Sequence, residues 1–371
     1  MRIALLVPGG VDRTGTERVI PCLLWLIEGL VAAGHEVMVF AARQERLPAQ
    51  WELLGARVHN IGRRPGAPRM LAALFAEHRR ARFDAIHAFW AQGCGVAGGI
   101  AGRVLGIRSV LTLPGGDLEA LRDIGYGGRL TLRGRFEGWL ATRLADKVTA
   151  PSNHLCDRAA RLGISATFLP LGVALDHWPP RSPRAREPSE PIALLHVASL
   201  NRVKDQSMLL RAMQALSASG QPFVLTVIGE DTLDGQIQRL AMALGIGAFV
   251  RFIGFVPHHD LRAWVERADL LVMTSRHEAG PLVTLEAAIA GVPTIGTEVG
   301  HIADFAPTAA VAIGVGDHDA LAANIRRLAQ DEALRMSIAS EAQRRALAYD
   351  AQRTVRGFCA LYIGGEGEIS A

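Results

Sequence analysis

Apolar and polar positions alternate along the chain in blocks. In the first half, the short apolar runs "RIALLVP", "HEVMVFA", "DAIHAF", "SVLTLPG", "KVTAPS" and "ATFLPLG" are separated by longer stretches such as "ERVIPCLLWLIEGLVAAG". The last four of these runs each read as a buried strand of four to six residues ending near Gly, Pro or Ser, with a helical stretch after it. Strands that are almost continuously apolar and joined by helices form a parallel sheet covered on both faces. After a stretch with five prolines, "DHWPPRSPRAREPSEP", the alternation restarts: "IALLHVAS", "FVLTVIG", "VRFIGFV", "ADLLVMTS", "VPTIGT" and "AAVAIGV", with "DQSMLLRAMQALSAS" and "DGQIQRLAMALG" between them. The prolines break both periodicities and predict a linker. The chain closes with helical stretches over about 318–346 and 349–363.

This pattern predicts an α/β protein with two Rossmann-like, doubly wound parallel-sheet domains. The expected organisation is an N-terminal domain over 1–175, a Pro-rich linker over 176–190, a C-terminal domain over 191–346, and a terminal helix over 347–371 that returns to the first domain. Two such domains are expected to face a central cleft at the carboxyl ends of their strands, where open α/β sheets bind ligands. Function is therefore sought in the strand-to-helix loops.

Composition narrows the picture. The 371 residues can bury a large core. The longest apolar segment is interrupted by Pro21 and Glu28 and falls short of the roughly 18 clean residues of a membrane span. The N-terminus lacks the h-region and cleavage site of a signal peptide. The four cysteines are widely spaced, which suggests neither zinc nor disulfides and fits a reducing, cytoplasmic location. Residues 1–180 carry 22 Arg and Lys against 15 Asp and Glu, a balance of +7, and the remainder carries 18 against 21, a balance of −3. Arginines gather at Arg63, Arg64, Arg69, Arg79, Arg80 and Arg82, and again at Arg129, Arg133 and Arg135. Two readings stand: a face for anionic lipid headgroups or an anionic acceptor, giving peripheral contact with the inner face of a membrane, or a solvated surface. Arg-for-Lys codon bias explains the arginine content better than nucleic-acid binding does.

Three loops carry the chemistry. "VPGGVDRTGTERVIP" leaves a strand, passes Gly10 and Gly15, and is expected to enter a helix near Thr16, offering backbone amides to a phosphate or an acceptor. Its spacing is not G-x-G-x-x-G and no acid closes the second strand, so a dinucleotide site is disfavoured. "HVASLNRVKDQSMLLRAM" places Arg202 and Lys204 at a helix start. Lys204 is one of only two lysines in the chain, and cations there oppose the helix dipole unless an anion lies between. Such an anion would be a phosphate; two exposed basic side chains are the alternative. "RHEAGPLVTLEAAIAGVPT" holds Glu278 and Glu286 on either side of Gly280, Pro281, Leu282 and Val283. Pro281 suits a first helical turn, and the amides of Leu282 and Val283 have no partner within the helix. The two carboxylates either hold two hydroxyl-bearing parts of one ligand or are a dipole partner and a surface charge.

Together these loops resemble those of the GT-B glycosyltransferases, specifically the retaining family 4 group, and the resemblance runs along nearly the whole chain. It is carried by "GTERVIPCLLWLIEGLVAAGHEV", by "LPLGVALDHW" with "HVASLNRVKDQSMLLRAM", and by the Glu-x7-Glu loop "SRHEAGPLVTLEAAIAGVPTIGTEVG". The resemblance implies a nucleoside diphosphate sugar donor and no bound cofactor or metal. It makes Glu278 the carboxylate facing the donor sugar, Glu286 the holder of the ribose hydroxyls, and Lys204 the cation on the donor pyrophosphate. Leu282 and Val283 would contact sugar or phosphate, and Gly15 would belong to the glycine loop of the first domain.

The chain departs from the family in four places. "ASL" replaces the usual G-R-L, leaving Arg202 to supply a second phosphate cation. Pro114 in "LTLPGGDLEAL" replaces a histidine that in relatives lies near the reacting sugar. "EAGPLV" replaces E-G-F-G-L-V, and His301 and Asp304 replace a glycine and a glutamate. His87, at the end of a neighbouring strand, is either a catalytic substitute for the lost histidine or a core residue. Asp117 either contacts an acceptor hydroxyl or caps the helix that follows. His258 and His259, adjacent at a helix start, point in different directions and do not form a metal pair. The expectation is a retaining transferase acting on a glycan or lipid-linked acceptor, of the bacterial envelope or exopolysaccharide type. The alternative is a non-catalytic binder of nucleotide sugars or glycans on the same fold.

Overall fold

The computed structural model describes residues 1–62, 66–187 and 190–365. Arg63 and Arg64 of the basic cluster, Pro188 and Ser189 of the Pro-rich segment, and residues 366–371 lie outside the described residues. The chain divides into two compact units: unit 1 is Met1–Ala174 with the segment from Asp350 onward, and unit 2 is Leu175–Tyr349.

Unit 1 contains, in chain order, β1 (Arg2–Val7), α1 (Pro21–Ala32), β2 (Glu36–Ala41), β3 (Ala49–Leu53), β4 (Ala56–Asn60), α2 (Gly66–Arg80), β5 (Ala85–Phe89), α3 (Val96–Leu105), β6 (Arg108–Thr112), α4 (Leu132–Leu144), β7 (Lys147–Ala150), α5 (Asn153–Ala160) and β8 (Thr167–Phe168). The sheet order is β3-β4-β2-β1-β5-β6-β7-β8. All pairs are parallel except the β3–β4 hairpin. The alternation of the sequence does not predict that hairpin: β3 carries polar Gln50 and Glu52 at an edge, and its turn is made by Leu54 and Gly55, both at positive φ (52° and 79°). α1 starts at Pro21, not near Thr16, because residues 10–19 form a loop of their own and proline takes the first helical position.

Unit 2 contains β9 (Ile192–Val197), α6 (Gln206–Ala218), β10 (Phe223–Ile228), α7 (Gln236–Ala243), β11 (Val250–Gly254), α8 (His258–Val265), β12 (Leu270–Met273), α9 (Leu282–Ile289), β13 (Thr294–Thr297), α10 (Gly300–Phe305), β14 (Ala310–Ile313), α11 (His318–Gln330) and α12 (Glu332–Leu347). The sheet order is β11-β10-β9-β12-β13-β14. The chain winds outward from β9 in one direction and from β12 in the other. Right-handed crossovers then cover both faces and leave a topological switch point between β9 and β12. Leu194, Leu209, Leu225, Leu270, Ile295 and Ile325 share one apolar core. The helical stretch expected over 318–346 is two helices, because Asp331 ends α11 and its side chain accepts from Leu334 N to start α12.

The described residues of the Pro-rich stretch have no regular secondary structure, yet they are fastened along unit 2. Trp178 is buried and donates its indole N–H to Glu286 O at 2.9 Å. Arg184 pairs with Asp269, and Arg186 N donates to Glu332. The last helix, α13 (Ala351–Tyr362), joins unit 1, where Val355, Phe358 and Leu361 enter the core with Ile3, Leu26 and Phe89.

Candidate functional site

The switch point of unit 2 gathers the residues of two loops. The loop after β9 carries Arg202 and Lys204, and the loop after β12 carries Glu278. Their backbones are tied together: Arg276 N donates to Val203 O at 2.7 Å, and Thr274 Oγ1 donates to Lys204 O at 2.9 Å. Beneath them, buried His196 on β9 donates from Nδ1 to Val272 O on β12 (2.8 Å) and accepts from Gln206 at Nε2 (3.1 Å). Burial drops its pKa to about 4, so it is a neutral brace.

Lys204 Nζ donates to Glu278 Oε1 at 2.5 Å, and Ser275 Oγ donates to the same oxygen at 2.6 Å. The side chains are 24% and 11% exposed. This pair places a cation and a carboxylate side by side at the carboxyl end of the sheet. The cation expected to require an anion near the start of α6 has one here in Glu278. Arg202, two residues earlier, is exposed.

α9 starts at Leu282, with Pro281 as its N-cap at φ −66° and not inside the first turn. Leu282 and Val283 are half-buried in that turn, where backbone N–H groups have no acceptor within the helix. Gly280 lies immediately before. Gly300, the first residue of α10, is at φ +53°, and a Cβ there would come within 2.9 Å of Pro281 Cδ and 3.1 Å of Glu278 Cβ. Only glycine fits, so α10 closes against the back of the Glu278 loop. The next residue, His301, is fully buried with no hydrogen-bond partner at either ring nitrogen among the described residues, and burial drops its pKa to about 4.

Glu286 is 2% exposed and turns into unit 2. Its Oε1 lies 2.5 Å from His258 Nε2 at the start of α8, and Trp178 stacks on the His258 ring with centroids 5.5 Å apart. His258 thus joins the candidate site through Glu286, whereas the sequence places it only at a helix start. The one signal for it is position, since it follows the edge strand β11 on the side of the sheet where the other site loops lie.

Unit 1 holds the remaining candidates. Gly10 (φ 86°) and Gly15 (φ 69°) shape the loop before α1, and Thr16 is exposed. Gln44, which sequence reasoning missed, fixes this loop: its Oε1 accepts from Gly10 N (2.7 Å) and Val11 N (3.1 Å). Asp12 accepts from Thr14 and Arg18. The Gly10 amide is therefore engaged within the fold.

His87 is corrected to the core. It is fully buried, with Nδ1 2.7 Å from the Tyr362 hydroxyl and Nε2 2.7 Å from Thr112 Oγ1. Its ring packs on Phe89 and Phe358. Burial drops its pKa to about 3. A histidine so enclosed ties β5, β6 and α13 together and cannot reach a substrate. Asp117 is also buried: Oδ1 accepts from Ala91 N at 2.7 Å, 26 positions back along the chain, and Oδ2 has no partner among the described residues. Burial lifts its pKa to about 6. Beside it Trp90 holds φ +67°, a strained value for a bulky residue, at the carboxyl end of β5.

Comparison with known proteins assigns the class. The family described as "Glycosyl transferases group 1" matches residues 181–345, and the "Glycosyl transferase 4-like domain" matches residues 19–172. The chain belongs to the family 4 glycosyltransferases of the GT-B fold. It is 27% identical over 254 residues to the glycogen synthase of Mycobacterium tuberculosis, an alignment spanning 63% of this chain and 61% of that one. The match thus spans about three-fifths of that relative's length. Two solved structures share the fold over almost the whole chain. Sucrose-phosphate synthase from Thermosynechococcus elongatus has a TM-score of 0.76, with 20% identity and 98% of each chain covered. Anabaena HepE in complex with UDP-glucose has a TM-score of 0.74, with 18% identity, 97% of this chain and 98% of that one.

Proposed function

We propose that the protein is a retaining glycosyltransferase that moves a sugar from a nucleoside diphosphate sugar to a hydroxyl acceptor. The observation that carries the reading is the Lys204–Glu278 pair at the switch point of unit 2, with Glu286 and the first-turn amides of α9 on the adjoining helix. The UDP-glucose held by HepE supports a nucleotide-sugar donor. Lys204, with Arg202 beside it, meets the negative diphosphate. The amides of Leu282 and Val283 add fixed dipoles, so charge building on the leaving group is stabilised without a metal. Glu286, held by His258, binds the ribose hydroxyls, and Glu278 faces the sugar. The acceptor oxygen attacks the anomeric carbon from the face the diphosphate leaves. The bond to the phosphate oxygen breaks, the new glycosidic bond forms, and the acceptor proton passes to the departing phosphate.

The acceptor is a glycan or lipid-linked saccharide of envelope or exopolysaccharide type, met by unit 1 at the inner face of a membrane. In support, unit 1 comes from the basic half of the chain, and no helix among the described residues is long and apolar enough to cross a bilayer. The test is a panel of nucleotide sugars incubated with the full chain and membrane extract, read by nucleoside diphosphate release. Release with one donor, abolished in Glu278→Gln, is the expected result. One observation favours a second reading, a non-catalytic binder: Pro114 replaces the family histidine, and His87, being in the core, does not replace it. Saturable nucleoside diphosphate binding with no release from any donor would establish that reading instead.

A further inference from the structure

In unit 1 the chain runs outward from β1 through β2 on one side and returns to β5 on the other, so the topological switch point lies between β1 and β5. Open α/β sheets bind ligands outside the carboxyl ends of the strands at such a point. Trp90 is the first residue beyond β5 there, half-buried and at φ +67°. Its backbone is fastened on every side. Trp90 N donates to Thr112 O (3.0 Å), its carbonyl accepts from Gly95 N (2.9 Å), and the next amide, that of Ala91, donates to Asp117 Oδ1 (2.7 Å). Strain in a bulky residue persists only where the surroundings over-determine it, and it gathers at ligand sites. One part of the indole packs on the apolar core beside Phe89, with ring centroids 6.5 Å apart. Another part lies against the turn that follows β6. A Cβ on Gly115 would come within 2.7 Å of Trp90 Nε1, and one on Gly116 within 2.6 Å of the Tyr126 ring, so both glycines of that turn are covered by an aromatic ring that any other residue would displace.

We propose that Trp90 is the platform on which the acceptor is held, and that the acceptor presents a neutral hexopyranose ring to it. A pyranose has a face of C–H groups and a rim of hydroxyls, which matches an indole with an apolar face and a polar N–H. A phosphate or carboxylate gains little from an apolar ring face, and Asp117 in the same turn opposes it by like charge. The inference rests on the reading of unit 1 as the acceptor side of a glycosyltransferase. Its test reads saccharide binding without transfer, so a protein that turns over its donor but makes no saccharide contact at Trp90 sinks this inference alone.

The test is saturation-transfer NMR on the full chain, with the methyl glycosides of glucose, galactose, mannose and N-acetylglucosamine as probes and inositol phosphate as the anionic comparison. At least one methyl glycoside is expected to receive saturation, strongest at the C–H protons of one ring face. Trp90→Gly, in which glycine takes the positive φ without strain, should weaken that binding about tenfold. Trp90→Phe keeps a ring and should restore most of the binding. Gly115→Ala keeps the indole but pushes it off the turn, and should weaken binding about fivefold. Unfolding midpoints of the three variants separate a lost contact from a lost fold: Trp90→Phe should stay close to the wild type. Saturation of none of the methyl glycosides, or of inositol phosphate alone, overturns the proposal. Wild-type binding in folded Trp90→Gly or in folded Gly115→Ala overturns it as well.

Discussion

Removing either partner of the Lys204–Glu278 pair should change diphosphate affinity in opposite directions. The two groups meet at 2.5 Å with the lysine side chain 24% exposed, so the pair is only partly screened from water. At that exposure its net worth is about 1 kcal/mol, well below its gross Coulomb energy of about 7 kcal/mol at an effective dielectric of 20. A diphosphate that takes Lys204 gains charge-assisted hydrogen bonds of about 3 kcal/mol and loses the pair, a net gain of about 2 kcal/mol. Lys204→Ala should therefore weaken binding of a free nucleoside diphosphate about 30-fold. Glu278→Gln releases the lysine beforehand and should tighten the same binding up to about fivefold while abolishing sugar transfer. Isothermal titration of both variants with a nucleoside diphosphate lacking sugar measures the two effects. Weakening by Glu278→Gln as large as that by Lys204→Ala, or no change in Lys204→Ala, would refute the assignment of Lys204 to the diphosphate.

Other expectations follow from the same geometry. His87→Ala removes two buried hydrogen bonds and leaves a cavity, so it should lower the stability of unit 1 by about 3–5 kcal/mol in urea unfolding, while the transfer rate per folded molecule stays within about twofold. His258→Ala deprives buried Glu286 of its partner. It should destabilise unit 2 by about 1–3 kcal/mol and raise KM for the donor more than it lowers kcat, as steady-state kinetics would show. Stability should also fall on acidification. His87, His196 and His301 stay neutral in the folded state down to about 3, 4 and 4, against 6.5 when unfolded. Between those values the unfolded chain binds more protons, so each residue contributes stability that is present above pH 6.5 and lost as pH falls towards its folded value, at about 1.4 kcal/mol per pH unit. Asp117, raised to about 6, contributes in the opposite sense between about 4 and 6. Urea midpoints measured from pH 7 to pH 4 check the sign; a midpoint that rises on acidification contradicts it.

The two sheets could be read from the sequence because buried parallel strands leave long unbroken apolar runs such as "IALLHV" and "LLVM". The two loops that meet at the switch point of unit 2 stand out for a related reason: the single lysine of the second half and a Glu-Ala-Gly-Pro turn each follow such a run. What stayed hidden depends on pairings across the chain. His258 meets Glu286 across 28 positions, and no local pattern announces it. His87 looks the same in sequence whether it faces a ligand or the core, and Tyr362, 275 positions away, decides. The Pro-rich stretch shows only that it is neither helix nor strand, while its attachment through Trp178 follows from packing. The β3–β4 hairpin has the mixed composition of an edge, where alternation is weakest.

The central claim is transfer of a sugar from a nucleotide donor bound by unit 2. Its most direct test is incubation of the full chain with isotopically labelled nucleotide sugars and membrane extract, following the label and the nucleoside diphosphate together. The account predicts that one donor passes its label to a second molecule in step with diphosphate release, with the anomeric configuration of the donor kept, and that Lys204→Ala loses both. Label that never leaves any donor, or that arrives with inverted configuration, would contradict it.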